Sequence, residues 1–189
     1  KNKELDLHVV EIDRHSVAYL KKNYAALENK IIEGDFLRMD LASLFKEPFT
    51  VIGNFPYNIS TQILFKIIEY RDLVPELVGM FQKEVAERIA AGPGSKTYGI
   101  MSVLLQAYYN IDYLFTVNPE VFDPPPKVKS GVIRVYRNSR EKLPCNEKLF
   151  KQIVKTGFNQ RRKTLSNSLK SILLDLKPSD EVFRKRPEQ

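Results

Sequence analysis

The stretch Phe49-Thr50-Val51-Ile52-Gly53-Asn54-Phe55-Pro56-Tyr57 joins an apolar segment to a polar turn, and a helical pattern follows it. Residues 49–53 are rich in apolar and β-branched side chains, which is typical of a buried strand. Ser60 is a candidate helix N-cap beyond the turn. The apolar face of the predicted helix consists of Ile63, Leu64, Ile67 and Ile68. A buried strand that passes directly into a helix indicates an α/β architecture.

The same pattern of a strand followed by a helix recurs on both sides of this stretch. Further buried strands are predicted over residues 7–12, 30–33 and 77–81. Helical spacing follows the first of them in Val17, Leu20, Tyr24 and Leu27, and residues 83–89 read as a helix after the last. Strands separated by helices predict a parallel sheet with helices on both faces.

The second half of the chain changes character. A helix is predicted over residues 100–109, and two strands over 113–117 and 131–136 lie on either side of the stiff connector Pro124-Pro125-Pro126. From Asn138 onward the pattern is helical and basic, without strand candidates. We therefore predict an α/β domain over residues 1–137 and a small all-helical domain over residues 138–189.

Charge is distributed unevenly along the chain. The formal net charge of +7 divides into −4 for residues 1–126 and +11 for residues 127–189. A basic excess of this size favours a nucleic-acid partner, although a solvated basic face without a partner remains an alternative.

Residue usage also indicates the compartment and excludes some chemistry. No apolar run reaches the ~20 residues of a membrane span. The single cysteine, Cys145, excludes an intramolecular disulfide and a cysteine-based zinc site. His8 and His15 have no metal-binding pattern around them, so we expect no metal. This usage predicts a cytoplasmic protein.

Polar residues stand at the ends of three predicted strands, where open parallel sheets bind ligands. Glu11 closes the first strand, Asp35 follows the second, and Asn54 follows the third. An acid at the end of a strand in a nucleotide site accepts hydrogen bonds from ribose hydroxyls, and Glu11 fits that role. Each of these residues alone could instead be a turn or helix-cap residue.

Asn54-Phe55-Pro56-Tyr57 has a pattern suited to methylating an exocyclic adenine amine. The lone pair of that amine is delocalised into the ring, so an enzyme must extrude the base, hold it against an aromatic face and accept hydrogen bonds from its N–H groups. The side-chain oxygen of Asn54 and the carbonyl of Pro56 are candidate acceptors, and Tyr57 is a candidate stacking face. A simple proline turn is the alternative.

Four motifs resemble those of the KsgA-type ribosomal RNA adenine dimethyltransferases. They are Asn54–Ser60, Gln82-Lys83-Glu84-Val85, Phe122–Val128 with its three prolines, and Phe158-Asn159-Gln160-Arg161-Arg162-Lys163-Thr164. The resemblance implies a Rossmann-like S-adenosylmethionine domain followed by a small helical domain. It also implies dimethylation of the N6 atoms of two adjacent adenines near the 3′ end of 16S ribosomal RNA, within the small ribosomal subunit or its precursor, by a monomer.

The resemblance also assigns roles to individual residues. Glu11 with the adjacent Ile12, Asp35 with Phe36, and Asn54 would bind S-adenosylmethionine. Asn54 and Pro56 would hold the target amine, and the target base would lie between the two aromatic residues Tyr57 and Phe122. The expected RNA contacts, for which a solvated face is the alternative, are Lys127, Lys129, Gln160, Arg161, Arg162 and Lys163. We predict that Arg161-Arg162-Lys163 begin a helix whose other face carries Leu165, Leu169 and Ile172.

The ends of the chain depart from the family pattern. Family members begin with a basic segment, a first strand and a glycine-rich loop that do not precede Lys1, so we expect this chain to be part of a longer member. Three alternatives remain at this point: a 23S ribosomal RNA dimethyltransferase that confers antibiotic resistance, a DNA adenine methyltransferase, and a non-catalytic RNA-binding assembly factor.

Overall fold

A computed structural model of the chain describes residues 5–160 and 162–176. This part of the chain contains six strands: β1 (Val9–Glu11), β2 (Ile31–Glu33), β3 (Thr50–Asn54), β4 (Glu76–Gln82), β5 (Tyr109–Val117) and β6 (Ser130–Arg137). The α-helices are α1 (Arg14–Asn23), α2 (Leu41–Leu44), α3 (Ser60–Glu69), α4 (Lys83–Ala90), α5 (Ile100–Gln106), α6 (Glu147–Asn159) and α7 (Leu165–Leu176). Three short 3-10 helices lie over Ala25–Lys30, Tyr57–Ile59 and Pro119–Val121.

The strands form two sheets. β1 pairs in parallel with β2, and a second sheet has the order β3-β4-β6-β5. Within the second sheet, β3 and β4 are parallel, whereas β6 is antiparallel to both β4 and β5. The predicted parallel pairing is confirmed for β1 with β2 and for β3 with β4. No direction was predicted for the last two strands, which are antiparallel because the chain returns from β5 to β6 without the crossover helix that parallel neighbours require.

The predicted strands are present with shifted ends. The helical spacing predicted through Leu27 is interrupted, because α1 ends at Asn23 and Leu27 lies in a 3-10 helix. Helix α3 begins at Ser60 itself with Ile59 as its N-cap, so the prediction of Ser60 as the N-cap is wrong.

The helix predicted over residues 100–109 ends at Gln106, because Tyr109 already belongs to β5. Tyr109 is buried, and its hydroxyl donates to the carbonyls of Ile67 at 3.2 Å and Val74 at 2.9 Å. Burial raises the pKa of this phenol above its usual value. Both bonds tie β5 to α3 and the loop after it.

The hydrophobic core lies between the four-stranded sheet and the helices packed on it. Alternate residues of β4 are buried, so Leu77 and Phe81 point into the core with Ile133 and Val135 of β6. Helix α3 contributes the fully buried Leu64 and Ile67 to the same core. Burial of this kind stabilises a fold by ~1.5–3 kcal/mol for each large apolar side chain.

An ion pair fixes the start of α6 against the α/β portion. Arg71 follows α3 and donates to both carboxylate oxygens of Glu147, at 3.1 and 3.2 Å. Its guanidinium also lies 4.6 Å from the centre of the Tyr108 ring. Burial, and then hydrogen bonding to Glu147, raise the pKa of Tyr108 to about 12. The domain boundary at residue 137 stays a prediction.

The described residues contain neither a helix suited to a membrane nor a cluster suited to a metal ion. Within residues 5–160 and 162–176, no helix has the length and apolar character needed to cross a membrane. In the same part of the chain, no cluster of three or more His, Cys, Asp or Glu side chains could hold a metal ion.

Candidate active site

A cavity of about 300 Å³ lies at the carboxyl end of β3. The seven residues that line it are Asn54, Phe55, Pro56, Tyr57, Phe122, Pro124 and Pro126. Residues 54–57 and 122–126 are far apart in the sequence, yet they face the same space. The structure therefore brings together the four residues predicted to hold the target base: Asn54, Pro56, Tyr57 and Phe122. The volume is at the lower end of the range of small-molecule sites.

Tyr57 is anchored to β6 by a hydrogen bond between two side chains. Its hydroxyl lies 2.6 Å from the hydroxyl of Ser130, which is fully buried at the first residue of that strand. This contact fixes the far end of the phenol ring, so the orientation of Tyr57 does not depend on its backbone turn alone. A ring that is held in place is a better stacking surface, because less conformational freedom is lost when a base binds.

Two glycines make room for Phe55 beside the cavity. Gly53 and Gly79 are register partners on β3 and β4. A Cβ atom at Gly53 would lie 2.8 Å from the Phe55 ring, and one at Gly79 would lie 2.7 Å from it. The Phe55 ring therefore packs against the bare backbone of both strands. Its centre lies 5.4 Å from the centre of the Phe81 ring, which extends the contact into the core.

The two carbonyls of the turn differ in their hydrogen bonding. The Pro56 carbonyl, which we predicted to accept from the target amine, already accepts from the Ile59 amide at 3.2 Å. It also lies 3.4 Å from the Ser60 hydroxyl, whose shorter bond, at 3.0 Å, is to the Tyr57 carbonyl. The Phe55 carbonyl accepts no hydrogen bond from any residue within the described ranges. The Asn54 side chain is exposed and likewise has no hydrogen-bond partner among those residues. Asn54 and Phe55 thus offer two unused acceptor oxygens at neighbouring positions.

Glu11 lies at the end of β1, next to β2. Its Oε1 atom accepts from the amides of Ile12 at 2.7 Å and Asp13 at 2.8 Å. Its backbone carbonyl accepts from the Gly34 amide at 2.9 Å, just beyond β2. These bonds hold the carboxylate at the edge of the sheet, while its Oε2 atom accepts no hydrogen bond within residues 5–160 and 162–176. Ile12 beside it is 65% exposed.

Asp35 and Phe36 lie in the turn that follows β2. The Asp35 Oδ1 atom accepts from the Leu37 amide at 2.9 Å, and its Oδ2 atom lies 3.5 Å from Arg38 Nε. The buried Lys66 of α3 stabilises this turn, because its ammonium donates to the carbonyls of Leu37 and Met39. The same ammonium lies 5.7 Å from the centre of the Phe36 ring. Helix α3 therefore connects the Asn54–Tyr57 turn to the Asp35 turn.

These residues fit the nucleoside half of S-adenosylmethionine. Glu11 and Asp35 both lie at the carboxyl end of the parallel β1–β2 pair, where their carboxylates would suit ribose hydroxyls and an adenine amine. Ile12 and Phe36 supply apolar surface beside them. These four side chains combine hydrogen-bond acceptors with apolar surface. They therefore match a nucleoside, which has hydroxyl and amine donors on an apolar ring, and not a bare phosphate.

The predicted RNA contacts fall into two groups. Lys127 and Lys129 are exposed between the prolines of the cavity and β6. Gln160 ends α6, and its carbonyl accepts from the Lys163 amide at 2.8 Å, which closes a turn. Arg162 and Lys163 are exposed in that turn, so our prediction that they begin a helix is wrong, since α7 begins at Leu165. Arg161 lies outside the described residues.

The buried face predicted for this last helix also differs in part. Ile172 is buried in α7, whereas Leu165 is 67% exposed. Leu165 stands in the first turn of α7, and its side chain lies beside Gly157 of α6. The apolar face of α7 therefore begins after its first turn.

Comparison with known proteins decides the family. The family described as "Ribosomal RNA adenine dimethylase" matches residues 3–178. The chain belongs to the ribosomal RNA adenine dimethylases. It is 62% identical to "Ribosomal RNA small subunit methyltransferase A" of Phocaeicola vulgatus, covering 99% of this chain and 68% of that protein. The protein of the same name from Cytophaga hutchinsonii is 60% identical, over 100% of this chain and 74% of the relative.

Solved structures support the α/β dimethylase fold. A dimethyladenosine transferase from Plasmodium falciparum superimposes with a TM-score of 0.74 at 28% identity, covering 89% of this chain and 61% of that one. The 23S rRNA methyltransferase ErmE gives a TM-score of 0.68 at 22% identity, over 86% and 65% of the two chains. The chain therefore spans less than two thirds of the length of these solved relatives. The predicted Rossmann-like methyltransferase fold is confirmed.

Sequence reasoning missed two residues that support the site of this dimethylase. Ser130 holds Tyr57, and its position directly after the Phe122–Val128 motif was the available signal. Lys66 supports the Asp35 turn, and a lysine between Ile63 and Ile67 on an apolar helix face was the signal there. Both roles depend on a partner that is distant in the sequence, so neither follows from local pattern.

The bond between Tyr57 and Ser130 in this dimethylase is testable by a double-mutant cycle. We expect Tyr57→Phe and Ser130→Ala each to lower the free energy of unfolding by ~1–3 kcal/mol. Each substitution removes one hydroxyl of the pair and leaves the other hydroxyl without its hydrogen-bond partner. The double variant should lose less than the sum, giving a coupling energy of about 1 kcal/mol. Urea unfolding of the four proteins measures this, and strictly additive losses would contradict the bond.

Proposed function

We propose that this chain carries the catalytic site of an S-adenosylmethionine-dependent methyltransferase that dimethylates N6 of two adjacent adenines near the 3′ end of 16S ribosomal RNA. The observation that carries the proposal is the cavity in which Asn54, Tyr57 and Phe122 meet beside two unused acceptor oxygens. Membership in the adenine dimethylases and the names of its relatives support the same reaction and the small subunit as substrate. The protein acts as a monomer in the cytoplasm.

The residues of the cavity have separate tasks in this mechanism. The side-chain oxygen of Asn54 and the carbonyl of Phe55 accept from the two N–H groups of the target amine. Accepting both hydrogens favours a pyramidal nitrogen whose lone pair is directed away from the ring. Tyr57 and Phe122 enclose the extruded base between aromatic faces, which offsets the cost of unstacking it.

Positioning is the main contribution of the protein. When bound, S-adenosylmethionine supplies a methyl group that its sulfonium already activates, so no strong acid or enzyme nucleophile is needed. Glu11 and Asp35 would hold the nucleoside of this cofactor, with Ile12 and Phe36 packed against it. Orienting two reactants in this way can supply ~7–11 kcal/mol of the barrier. The methylated amine then loses its proton to water, and a general base is unnecessary.

RNA outside the cavity is held by contacts that do not read sequence. Lys127 and Lys129 lie next to the cavity, and Gln160, Arg162 and Lys163, with Arg161, follow α6. Lysine and arginine contacts to phosphates fix the register of an RNA, whereas base contacts within a pocket provide specificity.

A transfer assay with labelled methyl groups tests the proposal. The full-length gene product is incubated with labelled S-adenosylmethionine and with small or large ribosomal subunits from cells that lack the modification. We expect dimethyladenine in 16S RNA of the small subunit only. Label confined to 23S RNA would contradict the assigned substrate, and binding to small subunits without any label would indicate an assembly factor that does not catalyse.

A further inference from the structure

Helix α6 presents an exposed face that carries no acid. The residues of this face, which we call the α6 stripe, are Lys148, Lys151, Gln152, Lys155 and Asn159. Their spacing of three or four residues places them on one side of the helix. At 1.5 Å per residue the stripe is about 16 Å long. It was not among the RNA contacts predicted from the motifs.

The lysines of the α6 stripe are not neutralised by the rest of the described chain. None of the ion pairs in residues 5–160 and 162–176 includes Lys148, Lys151 or Lys155. The one acid of α6, Glu147, pairs with Arg71 at 3.1 Å. The stripe therefore presents ammonium donors of a single charge sign, with the amide of Gln152 between them and that of Asn159 after them.

An aromatic ring from α3 lies beneath two of these lysines. The ammonium groups of Lys151 and Lys155 lie 5.3 and 5.2 Å from the centre of the half-buried Phe65 ring. Both distances are within the range of a cation–π contact. The ring thus restrains two like charges side by side, although they repel each other. A surface that places two restrained cations together fits a partner with closely spaced negative charges.

The α6 stripe packs on α3, the helix that starts directly after the turn of the candidate active site. Helix α3 begins at Ser60, directly after the turn that contains Tyr57, and Phe65 follows about 7 Å further along the helix. At the other end, Asn159 is followed by Gln160 and by the exposed Arg162 and Lys163. Glu147 at the start of α6 pairs with Arg71 just after α3, whereas Lys155 lies over Phe65 in the middle of α3, so α6 runs antiparallel to α3. The predicted phosphate contacts after Asn159 therefore follow the end of the stripe that is directed toward the start of α3.

We propose that the α6 stripe binds the sugar–phosphate backbone of the same RNA whose adenine enters the cavity. This proposal rests on the proposed function, because it takes RNA as the substrate. Phosphate and ribose oxygens are acceptors, and they match a surface of ammonium and amide donors without carboxylates. A protein partner would need acidic residues at the same spacing, whereas every RNA strand presents phosphates at regular intervals.

The salt dependence of RNA binding tests this contact. The full-length protein, carrying Lys151→Gln with Lys155→Gln, is titrated with unmodified, protein-free 16S RNA at several KCl concentrations. The matched control is Lys21→Gln with Lys22→Gln, which removes the same charge from exposed residues of α1. Losing two phosphate contacts should lower the slope of log Kd against log salt by ~1.4–1.8, and the control should keep the wild-type slope.

Several outcomes separate this inference from the proposed function. A slope equal to that of the wild type, in a variant whose thermal unfolding is unchanged, would overturn the contact. So would normal binding to naked RNA combined with weakened binding to whole subunits, which would indicate a protein partner. The methyl-transfer assay is run separately, so a reduced slope in a protein that transfers no methyl group would support the contact and contradict the proposed function.

Discussion

Replacing Asn54 with alanine should lower kcat for methyl transfer by about 10²- to 10³-fold, the usual effect of deleting one preorganised hydrogen-bonding group at a reaction centre. The amine would keep only the Phe55 carbonyl as an acceptor, so its lone pair would remain partly delocalised into the base. Asn54→Asp keeps acceptor oxygens at the same place and should retain more activity than Asn54→Ala. Single-turnover transfer of labelled methyl groups to small subunits measures both.

The Asn54→Ala variant should fold and bind RNA as the wild type does. The Asn54 side chain is exposed and has no hydrogen-bond partner among residues 5–160 and 162–176, so its loss should change the free energy of unfolding by less than ~0.5 kcal/mol. The expected phosphate contacts lie elsewhere, on Lys127, Lys129 and the α6 region. A wild-type rate for Asn54→Ala would remove Asn54 from the mechanism, and a large loss of stability would show that any rate effect is structural.

Much of the site was predictable because its residues belong to short, local patterns. Asn54-Phe55-Pro56-Tyr57 follows a recognisable strand, and strand order brings Glu11 and Asp35 to the same sheet edge. The meeting of Phe122 with Tyr57 in one cavity followed from the family resemblance, since nothing local in residues 118–126 specifies it. Residue types at strand ends therefore carry most of the information about this site.

What the sequence did not reveal depends on distant partners. The connection between two strands sets their relative direction. The sequence between β5 and β6 reads as a loop and does not by itself show whether the two strands are parallel or antiparallel. The use of the Pro56 carbonyl by Ile59 depends on how the turn closes, so only the geometry favours the Phe55 carbonyl. The anchoring of Tyr57 by Ser130 joins residues 73 positions apart, and no local pattern encodes it.

Lys66→Met should destabilise the protein and weaken its hold on the cofactor. The Lys66 side chain is 7% exposed, and its ammonium donates to the carbonyls of Leu37 and Met39. Methionine has a similar length but cannot donate, so both carbonyls would lose their partner within the core. Leaving such groups unsatisfied costs ~1–3 kcal/mol, which is the expected loss in the free energy of unfolding.

The effect on cofactor binding follows from the position of this contact. Lys66 supports the turn that carries Asp35 and Phe36, and its ammonium lies 5.7 Å from the centre of the Phe36 ring. Without it, the turn must be ordered when the nucleoside binds, and that entropy cost appears as a higher Kd for S-adenosylmethionine. Calorimetric titration of the full-length protein measures this Kd, and amide hydrogen exchange reports order at residues 35–39 directly.

A control with the same chemical change separates this role from a general effect of losing a lysine. Lys46 is exposed, and its ammonium donates to the single carbonyl of Ala42 at 3.0 Å. Because water can replace that donor, Lys46→Met should alter stability by less than ~0.5 kcal/mol and leave cofactor binding unchanged. If Lys66→Met changed the free energy of unfolding, the hydrogen exchange and the Kd for S-adenosylmethionine as little as Lys46→Met does, the contact of Lys66 with the Asp35 turn would contribute nothing to stability or to cofactor binding. Since α3 also begins at the Asn54–Tyr57 turn, a measurable link would mean that one helix aligns the cofactor turn with the target-base cavity.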